Sequence, residues 1–135
     1  MKTNLKYLFL ALCTLLGSCY DDDVLSSKPG EPIEGISNLA HTISGDQVIL
    51  TWDLPSQYPE GIITPVSVHI ALSVDGQRVG GTIVLPNDPV TYTQAGYDPA
   101  REYRMTLKVV AMKNVENEPD HISDTWISKG TTLSI

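Results

Sequence analysis

The sequence predicts an all-β domain, a sandwich of two antiparallel sheets built from seven short strands. Two observations favour this fold class. Apolar residues occupy every second position in several segments that begin about ten residues apart, and clusters of Pro, Gly, Asn and Asp separate these segments. After the N-terminal stretch, no segment shows the spacing of an amphipathic helix, and no internal repeat is present.

The N-terminus predicts a secretion signal, because two lysines precede an apolar run over residues 7–16. A run of about ten residues has the length of a signal-peptide core and is too short to span a bilayer. The residues that follow, Leu16-Gly17-Ser18-Cys19, resemble the lipobox that lipoprotein signal peptidase cuts. This resemblance implies that residues 1–18 are removed and that Cys19 becomes the lipidated first residue. The alternative is an ordinary secretory signal followed by an incidental Cys.

A lipidated Cys19 has consequences for both the location and the redox chemistry of the protein. The other cysteine, Cys13, leaves with the signal, so the mature chain has no free thiol for a disulfide, a zinc site or a nucleophile. Several acyl chains, at about 0.8 kcal/mol for each buried CH₂ group, hold such an anchor in the membrane permanently. We therefore expect a protein attached to the outer membrane through its lipid.

The charge of the chain excludes nucleic acid as a partner. The full sequence has 16 acidic residues against nine Lys and Arg, which gives a net charge of −7. Removing residues 1–18 takes away Lys2 and Lys6 and no acidic residue, so the net charge falls to −9. Nucleic acids and anionic lipids select clustered Lys and Arg, and this acidic chain offers no such cluster.

Residues 19–32 predict a tether between the lipid and the domain. Tyr20-Asp21-Asp22-Asp23 follows the lipidated residue and resembles the export signal of surface lipoproteins in glycan-scavenging gut bacteria, which implies that the domain faces the cell exterior. The alternative is a solvated run whose charges keep the tether extended. Pro, Gly and Ser without periodicity make the rest of the segment a flexible linker. Residues 33–135 then form a single domain.

The first half of the domain predicts two strands and the beginning of a hairpin. Residues 36–43 predict an edge strand, and residues 47–53 alternate so that Trp52 lies on the buried face. Residues 64–74 show the most regular alternation in the chain. Asp75-Gly76 directly after them is a strong signal for a tight hairpin turn.

A return strand and a short strand are predicted next. Residues 78–85 should pair back onto the strand before the turn. Gly80-Gly81 within this segment predicts a bulge or a close approach of another backbone. Residues 90–93 predict a short strand, because a Pro-rich loop precedes them and a turn follows.

The last two predicted strands lie on either side of a long polar loop. Asp98-Pro99 turns the chain, and residues 103–111 then alternate in a way that predicts a strand with one face in water. Residues 123–132 predict the final strand. Either Trp126 or Ile127 faces the core, and the pattern does not decide between them.

Two motifs carry a resemblance to a known family: Leu50-x-Trp52-x-x-Pro55 and Pro99-x-x-x-Tyr103. They resemble the motifs of fibronectin type III domains, which are immunoglobulin-like sandwiches, and the likeness covers residues 33–135. The resemblance implies that Trp52 packs at the centre of the core. It also implies that Tyr103 forms a tyrosine corner, in which the phenol hydroxyl bonds back to upstream backbone.

No pattern in the sequence predicts catalysis or a cofactor. The three histidines are dispersed and lack the spacing that places two imidazoles on one metal ion. Asp120-His121-x-Ser123 contains the residue types of a catalytic triad, but neighbours in a loop do not adopt triad geometry, and the chain has no Gly-x-Ser-x-Gly elbow. We therefore expect a protein that is not an enzyme.

The richest cluster of oxygen ligands lies in the long polar loop and just after it: Glu116, Glu118, Asp120 and Asp124. Calcium binds about six to eight oxygens from carboxylates, amides and carbonyls. The spacing is not that of an EF-hand, and exposed acidic loops are usually only solvated. These four residues are weak calcium candidates, and no metal site is predicted.

The aromatic residues Tyr58, Tyr97 and Trp126 are candidates for ligand binding, because their rings can stack on sugars; packing in the core is the alternative. The sequence favours a non-enzymatic binding or adhesion module for a glycan or a host protein. It would act through the loops around Tyr58, Asn87 and Glu116 or through an exposed sheet face. The alternative is a structural or accessory subunit of an outer-membrane glycan-uptake complex, recognised by an uncovered edge strand.

Overall fold

The computed structural model describes residues 33–116 and 123–135, so the predicted signal and tether lie outside the described part. The described residues form nine β-strands and no helix, and thus no helix that could cross a membrane. The strands are β1 (Ser37–Ser44), β2 (Gln47–Asp53), β3 (Ile62–Val74), β4 (Gln77–Arg78), β5 (Ile83–Leu85), β6 (Thr91–Ala95), β7 (Tyr103–Lys113), β8 (Thr125–Ile127) and β9 (Thr131–Ser134).

The strands form two antiparallel sheets that face each other across one hydrophobic core. The three-stranded sheet has the order β1-β2-β6. In the six-stranded sheet β3 and β7 are the central pair; β4 and β5 pair with β3, and β8 and β9 pair with β7. Alternate residues of β2, β3 and β7 are buried, so both sheets contribute one face to the core. The predicted all-β sandwich is confirmed.

The predicted number of strands is wrong, because two of the predicted strands are each divided in two. The return strand over residues 78–85 is interrupted after β4, where Gly80 adopts a φ of 67°. No atom lies within 4 Å of a side chain placed at Gly80 or Gly81, so these glycines mark a conformational break and not a close approach of another backbone. The strand predicted over residues 90–93 lies slightly later, as β6.

The final strand predicted over residues 123–132 is interrupted by Ser128. The buried Ser128 hydroxyl accepts a hydrogen bond from the Val109 N–H (2.9 Å) and donates to the Lys129 carbonyl (2.9 Å). Gly130 follows, and a Cβ atom there would lie 2.7 Å from Cγ2 of Thr106. The side-chain bonds of Ser128 replace ladder bonds, and the close approach at Gly130 excludes a side chain. The chain therefore continues as two short strands, β8 and β9.

Trp52 lies in the core and also bonds to the loop that precedes β6. It is 3% exposed, and its indole N–H donates to the Pro89 carbonyl (2.8 Å). Burying about 200 Å² of this side chain contributes roughly 5 kcal/mol before conformational entropy is subtracted. Burying the indole N–H without a hydrogen-bond partner would cost free energy, and the Pro89 carbonyl provides that partner.

Tyr103 opens β7 and is also buried. Its hydroxyl accepts a hydrogen bond from the Asp98 N–H (3.1 Å) and donates to the Gly96 carbonyl (3.3 Å). The ring of Tyr97 packs beside it, with the centroids 5.2 Å apart. One phenol thus satisfies two backbone groups of the preceding turn and holds that turn against the core.

The hairpin turn after β3 is joined to the same corner by an ion pair. Asp75 and Gly76 adopt φ values of 52° and 77°, as a tight hairpin turn requires. The Asp75 carboxylate accepts hydrogen bonds from Nε of Arg101 (2.8 Å) and from the Glu102 N–H (3.0 Å). The Arg101 hydrogen bond, and then the Glu102 N–H, hold the pKa of Asp75 below its ordinary value.

We expect Tyr103→Phe to lower the free energy of unfolding by about 1–2 kcal/mol, because the Asp98 N–H and the Gly96 carbonyl lose their common partner. Tyr97→Phe is the matched control, and its effect should stay within about 0.5 kcal/mol. Urea denaturation of both variants measures the difference. Equal losses in the two variants would show that the Tyr103 hydroxyl does not stabilise the corner.

We expect the stabilisation from Asp75 to depend on pH. Its pKa is lower in the folded chain than in the unfolded chain, so the carboxylate stabilises the fold above its ordinary pKa of 3.8, and this contribution is lost as the pH falls further. Asp75→Asn should therefore lower the melting temperature at pH 7 and make less difference at about pH 3. Asp46→Asn serves as the control. A difference that is the same at both pH values would exclude the ion pair as its cause.

Candidate functional site

The outer face of the six-stranded sheet carries a cluster of apolar side chains, three exposed and one buried, which we call the apolar patch: Ile63, Met112 and Ile127, with Val110. Strand register brings them together, because Ile63 lies opposite Met112 and Val110 lies opposite Ile127. Three of them are about half exposed, at 52% for Ile63, 47% for Met112 and 54% for Ile127. Val110 lies between the other members and is 9% exposed.

The apolar patch begins where the outward residues of β7 change from polar to apolar. Arg104, Thr106 and Lys108 occupy its first outward positions, as expected for a face in water. Val110 and Met112 occupy the next two. The Val110 carbonyl also accepts a hydrogen bond from the Ser67 hydroxyl (3.1 Å), which holds the edge of the patch to β3. One strand therefore presents a basic half and an apolar half to the solvent.

The same face has a charge opposite to that of the whole chain. The outward positions of the described strands in this sheet include Arg78, Arg104 and Lys108 and no Asp or Glu. Lys108 lies opposite the half-buried His69. Arg104 is partly balanced by Glu102, just before β7, with 3.7 Å between Nη2 and Oε1. A partner that approaches this face meets an apolar surface beside positive charge.

The loops around Tyr58, Asn87 and Glu116, which the sequence offers as one possible binding surface, lie together at one end of the sandwich. The Asp88 carboxylate accepts a hydrogen bond from the Val66 N–H (2.7 Å), which attaches the loop after β5 to the start of β3. The Asn114 N–H donates to the Gly61 carbonyl (2.9 Å), which joins the other two loops. Burial, and secondarily the Asp88 carboxylate, raise the pKa of the Tyr58 phenol.

The three aromatic candidates do not form a stacking platform. Tyr97 lies at the opposite end of the sandwich from Tyr58, beside Tyr103. Trp126 faces the core side and Ile127 the solvent, which resolves the choice that the sequence left open. The Trp126 indole N–H donates to the Ser123 carbonyl (3.3 Å), and Nζ of Lys113 lies 4.9 Å from its ring. All three rings are half-buried and pack against the core.

Two of the four calcium candidates, Glu118 and Asp120, lie outside the described residues, as does Cys19. Of the other two, the Glu116 N–H donates to the Asn114 side chain (3.1 Å), and the Asp124 carboxylate accepts from the Thr125 hydroxyl (3.1 Å). Within residues 33–116 and 123–135, no group of three or more His, Cys, Asp or Glu side chains is placed to hold a metal ion.

The sequence contains a signal for the apolar patch. The alternation of β7 ends in four consecutive apolar residues, Val109-Val110-Ala111-Met112. Such a run places apolar side chains on both faces of a strand, so part of it must face the solvent or a partner. Ile63 and Ile127 have no comparable signal, because their positions on the face depend on strand register.

Comparison with known proteins gives one family. The family model described as "Domain of unknown function (DUF4945)" matches residues 19–135. No curated protein matches the chain. Among solved structures, one titled "Myokine structure" has 13% sequence identity and a TM-score of 0.47, and the alignment covers 76% of this chain and 96% of that chain.

Proposed function

We propose that this chain, which belongs to the DUF4945 family, is a non-enzymatic module that binds a protein partner at the cell surface through the apolar patch. The exposed patch is the observation that carries this proposal. Contiguous apolar side chains on a protein surface mark interaction sites, whereas single exposed apolar residues need no explanation. The patch lies on one sheet face where β3 begins and β7 ends, and Lys108 provides a polar and positively charged border.

A protein partner fits this surface better than a glycan. Sugar rings stack on exposed aromatic faces, and Tyr58, Tyr97 and Trp126 are half-buried, with Tyr97 far from the other two. The apolar patch is instead aliphatic, with a single thioether. Flexible Met side chains and branched aliphatic residues adapt to apolar protein surfaces and offer sugar hydroxyls no hydrogen bonds.

In this proposal the sandwich is a fibronectin type III-like domain. Three features support that assignment: the division into three-stranded and larger sheets, the core position of Trp52, and the corner formed by Tyr103. If the interrupted pairs β4–β5 and β8–β9 are each counted as one strand position, the sandwich has the seven positions that the sequence predicts. The fold class itself carries no function, so the binding role depends on the patch.

We further propose that the mature protein is a lipoprotein, anchored through Cys19 to the outer membrane and facing the cell exterior. The order of charge, apolar run, small residues and Cys supports this anchor. The family match also begins at Cys19, the residue with which the predicted mature chain begins. The acidic run that follows supports an outward orientation.

The anchor predicts that Cys19→Ser abolishes acylation and releases the protein from the membrane fraction. Cys13→Ser is the matched control, because Cys13 lies inside the predicted signal and should leave the anchor intact. Mass spectrometry of the purified native protein detects the acyl groups, and protease treatment of intact cells tests exposure at the surface. An unmodified Cys19 in native protein would contradict the anchor. Protection from protease would contradict the outward orientation.

The binding role predicts that the combined variant Met112→Asp and Ile127→Asp loses a protein ligand. Residues 20–135 are screened against host extracellular proteins and a glycan array, and affinity for each ligand found should fall by at least about tenfold in the double variant. Val79→Asp is the control, because Val79 is 46% exposed and lies in the loop after β4, away from the patch. Melting temperatures close to that of the unmodified protein verify that both proteins remain folded.

The outcomes of this screen separate the competing functions. Binding that the double variant retains would contradict a role for the apolar patch. A glycan that binds with the same affinity in both proteins would favour the loops. Binding to neither class, together with co-purification in a larger membrane assembly, would favour the accessory subunit of a glycan-uptake complex.

A further inference from the structure

We propose that the free edge of β6 pairs with the β6 strand of a second copy of the chain, so that the two three-stranded sheets join into one. This site lies on the opposite sheet from the apolar patch and does not depend on it. The argument begins from the four sheet edges. Proteins protect exposed edges with bulges, charges, short strands or covering segments, and an unprotected edge is a site for strand pairing.

Three of the four edges have such a protection. A register shift between Ser37 and Ala40 bends β1, where Asn38 adopts a φ of 51°. At the next edge β4 has two residues and β5 three, with a break between them. At the last edge β8 and β9 have three and four residues and are separated by Ser128, Lys129 and Gly130.

The edge formed by β6 has none of these protections. Its five residues pair with β2 in continuous register from Thr91 to Ala95, without a bulge. The strand contains no charged residue and no Pro, and no described strand pairs with its other side. Thr91, Thr93 and Ala95 are exposed.

The free edge presents backbone groups that can pair. The Trp52 N–H donates to the Val90 carbonyl (3.1 Å), which shows that Val90 directs its backbone polar groups toward β2. Backbone direction alternates along an antiparallel strand, so Tyr92 and Gln94 also point toward β2. Thr91, Thr93 and Ala95 therefore point away from it, and their N–H and C=O groups lie along the free edge.

The sequence of β6 favours a second copy as the occupant. In a two-fold antiparallel pair centred on Thr93, that residue faces its own copy, and Thr91 faces Ala95 of the other chain. This register allows about six backbone hydrogen bonds between the copies. Any charged residue near a two-fold axis would repel its own copy, and β6 has none.

Neighbouring positions also permit this approach in a chain of net charge −7. The residues of β2 beside β6 on the outer face are Gln47, Ile49 and Thr51, all uncharged. Tyr92 and Gln94 lie on the core side of the strand, where the Tyr92 hydroxyl donates to Oε1 of Gln94 (3.0 Å). Two acidic molecules can therefore meet along this edge without bringing carboxylates together.

Paired charges at the two off-axis positions test the register. Thr91→Lys with Ala95→Lys places like charges opposite each other across the proposed interface and should weaken self-association by about tenfold. Thr91→Lys with Ala95→Glu places opposite charges there and should restore it. Both positions are exposed, and Thr91→Lys removes one hydrogen bond, from the Thr91 hydroxyl to the Leu50 carbonyl (2.8 Å), so both variants should lose the same few degrees of melting temperature. Thr42→Lys, on the edge strand β1, is the matched control and should have no effect.

The measurement uses the whole mature chain from residue 19, with Cys19→Ser to remove the thiol and any acyl group. Sedimentation equilibrium gives the dissociation constant of each variant. Hydrogen exchange should show that the amides of Thr91, Thr93 and Ala95 become protected as the protein concentration rises. Self-association with this protection and this pattern of variants supports the proposal.

Three results would overturn the proposal. The first is a chain that stays monomeric to about 1 mM, the upper end of concentrations at which weak pairing is measured. The second is a dimer that responds to Thr42→Lys and not to the paired charges. The third is protection of the β6 amides only when another protein is added, which would assign the edge to a different partner.

Discussion

The structure depends on the pairing of β3 with β7, the central antiparallel pair of the larger sheet. Side chains alternate between two faces, so the register of this pair determines which residues enter the core and which reach the solvent. The register pairs Val68 with Val109 in the core, and a register shift between Ile63 and Ser67 then places Ile63 beside Met112 on the outer face. A slip of one residue would exchange the two faces. The core and the apolar patch therefore both depend on how these two strands pair, including the register shift between Ile63 and Ser67.

The acidic residues are concentrated at the ends of the sandwich. Asp46, Asp75 and Asp98 lie in turns at one end, and Asp88 and Glu116 lie in loops at the other. Among the described strands, Asp53 at the end of β2 is the only acidic residue. An acidic chain thus keeps both sheet faces nearly free of negative charge. The carboxylates at the ends can stay in water while the sheet faces are buried, so a contact through a face desolvates no carboxylate.

Local patterns predict the core well and the interruptions poorly. Trp52 and the strand that begins at Tyr103 follow from period-two alternation, which is a property of the strand itself. The division of the last strand depends on bonds between Ser128 and Val109, and the orientation of Trp126 depends on its pairing with Ala111. Such contacts join residues distant in sequence, and alternation contains no information about them.

The same distinction explains the candidate site. Aromatic residues suggest ligand binding by their chemistry alone, but burial decides whether a ring is available, and Tyr58, Tyr97 and Trp126 pack against the core. The exposed aliphatic residues give weaker chemical signals, and they come together through register. Such a surface can be predicted only when the partner strand of each residue is known.

The two proposed surfaces lie on different sheets of the sandwich. β1 begins level with the end of β2, at the end of the molecule that carries Tyr58 and Asp88. The apolar patch lies near that end on the outer face of the larger sheet, because Ile63 and Met112 pair where β3 begins and β7 ends. The edge of β6 belongs to the smaller sheet. A partner bound to the apolar patch would therefore leave the edge of β6 open to a second copy, so the two proposed contacts are compatible on one molecule.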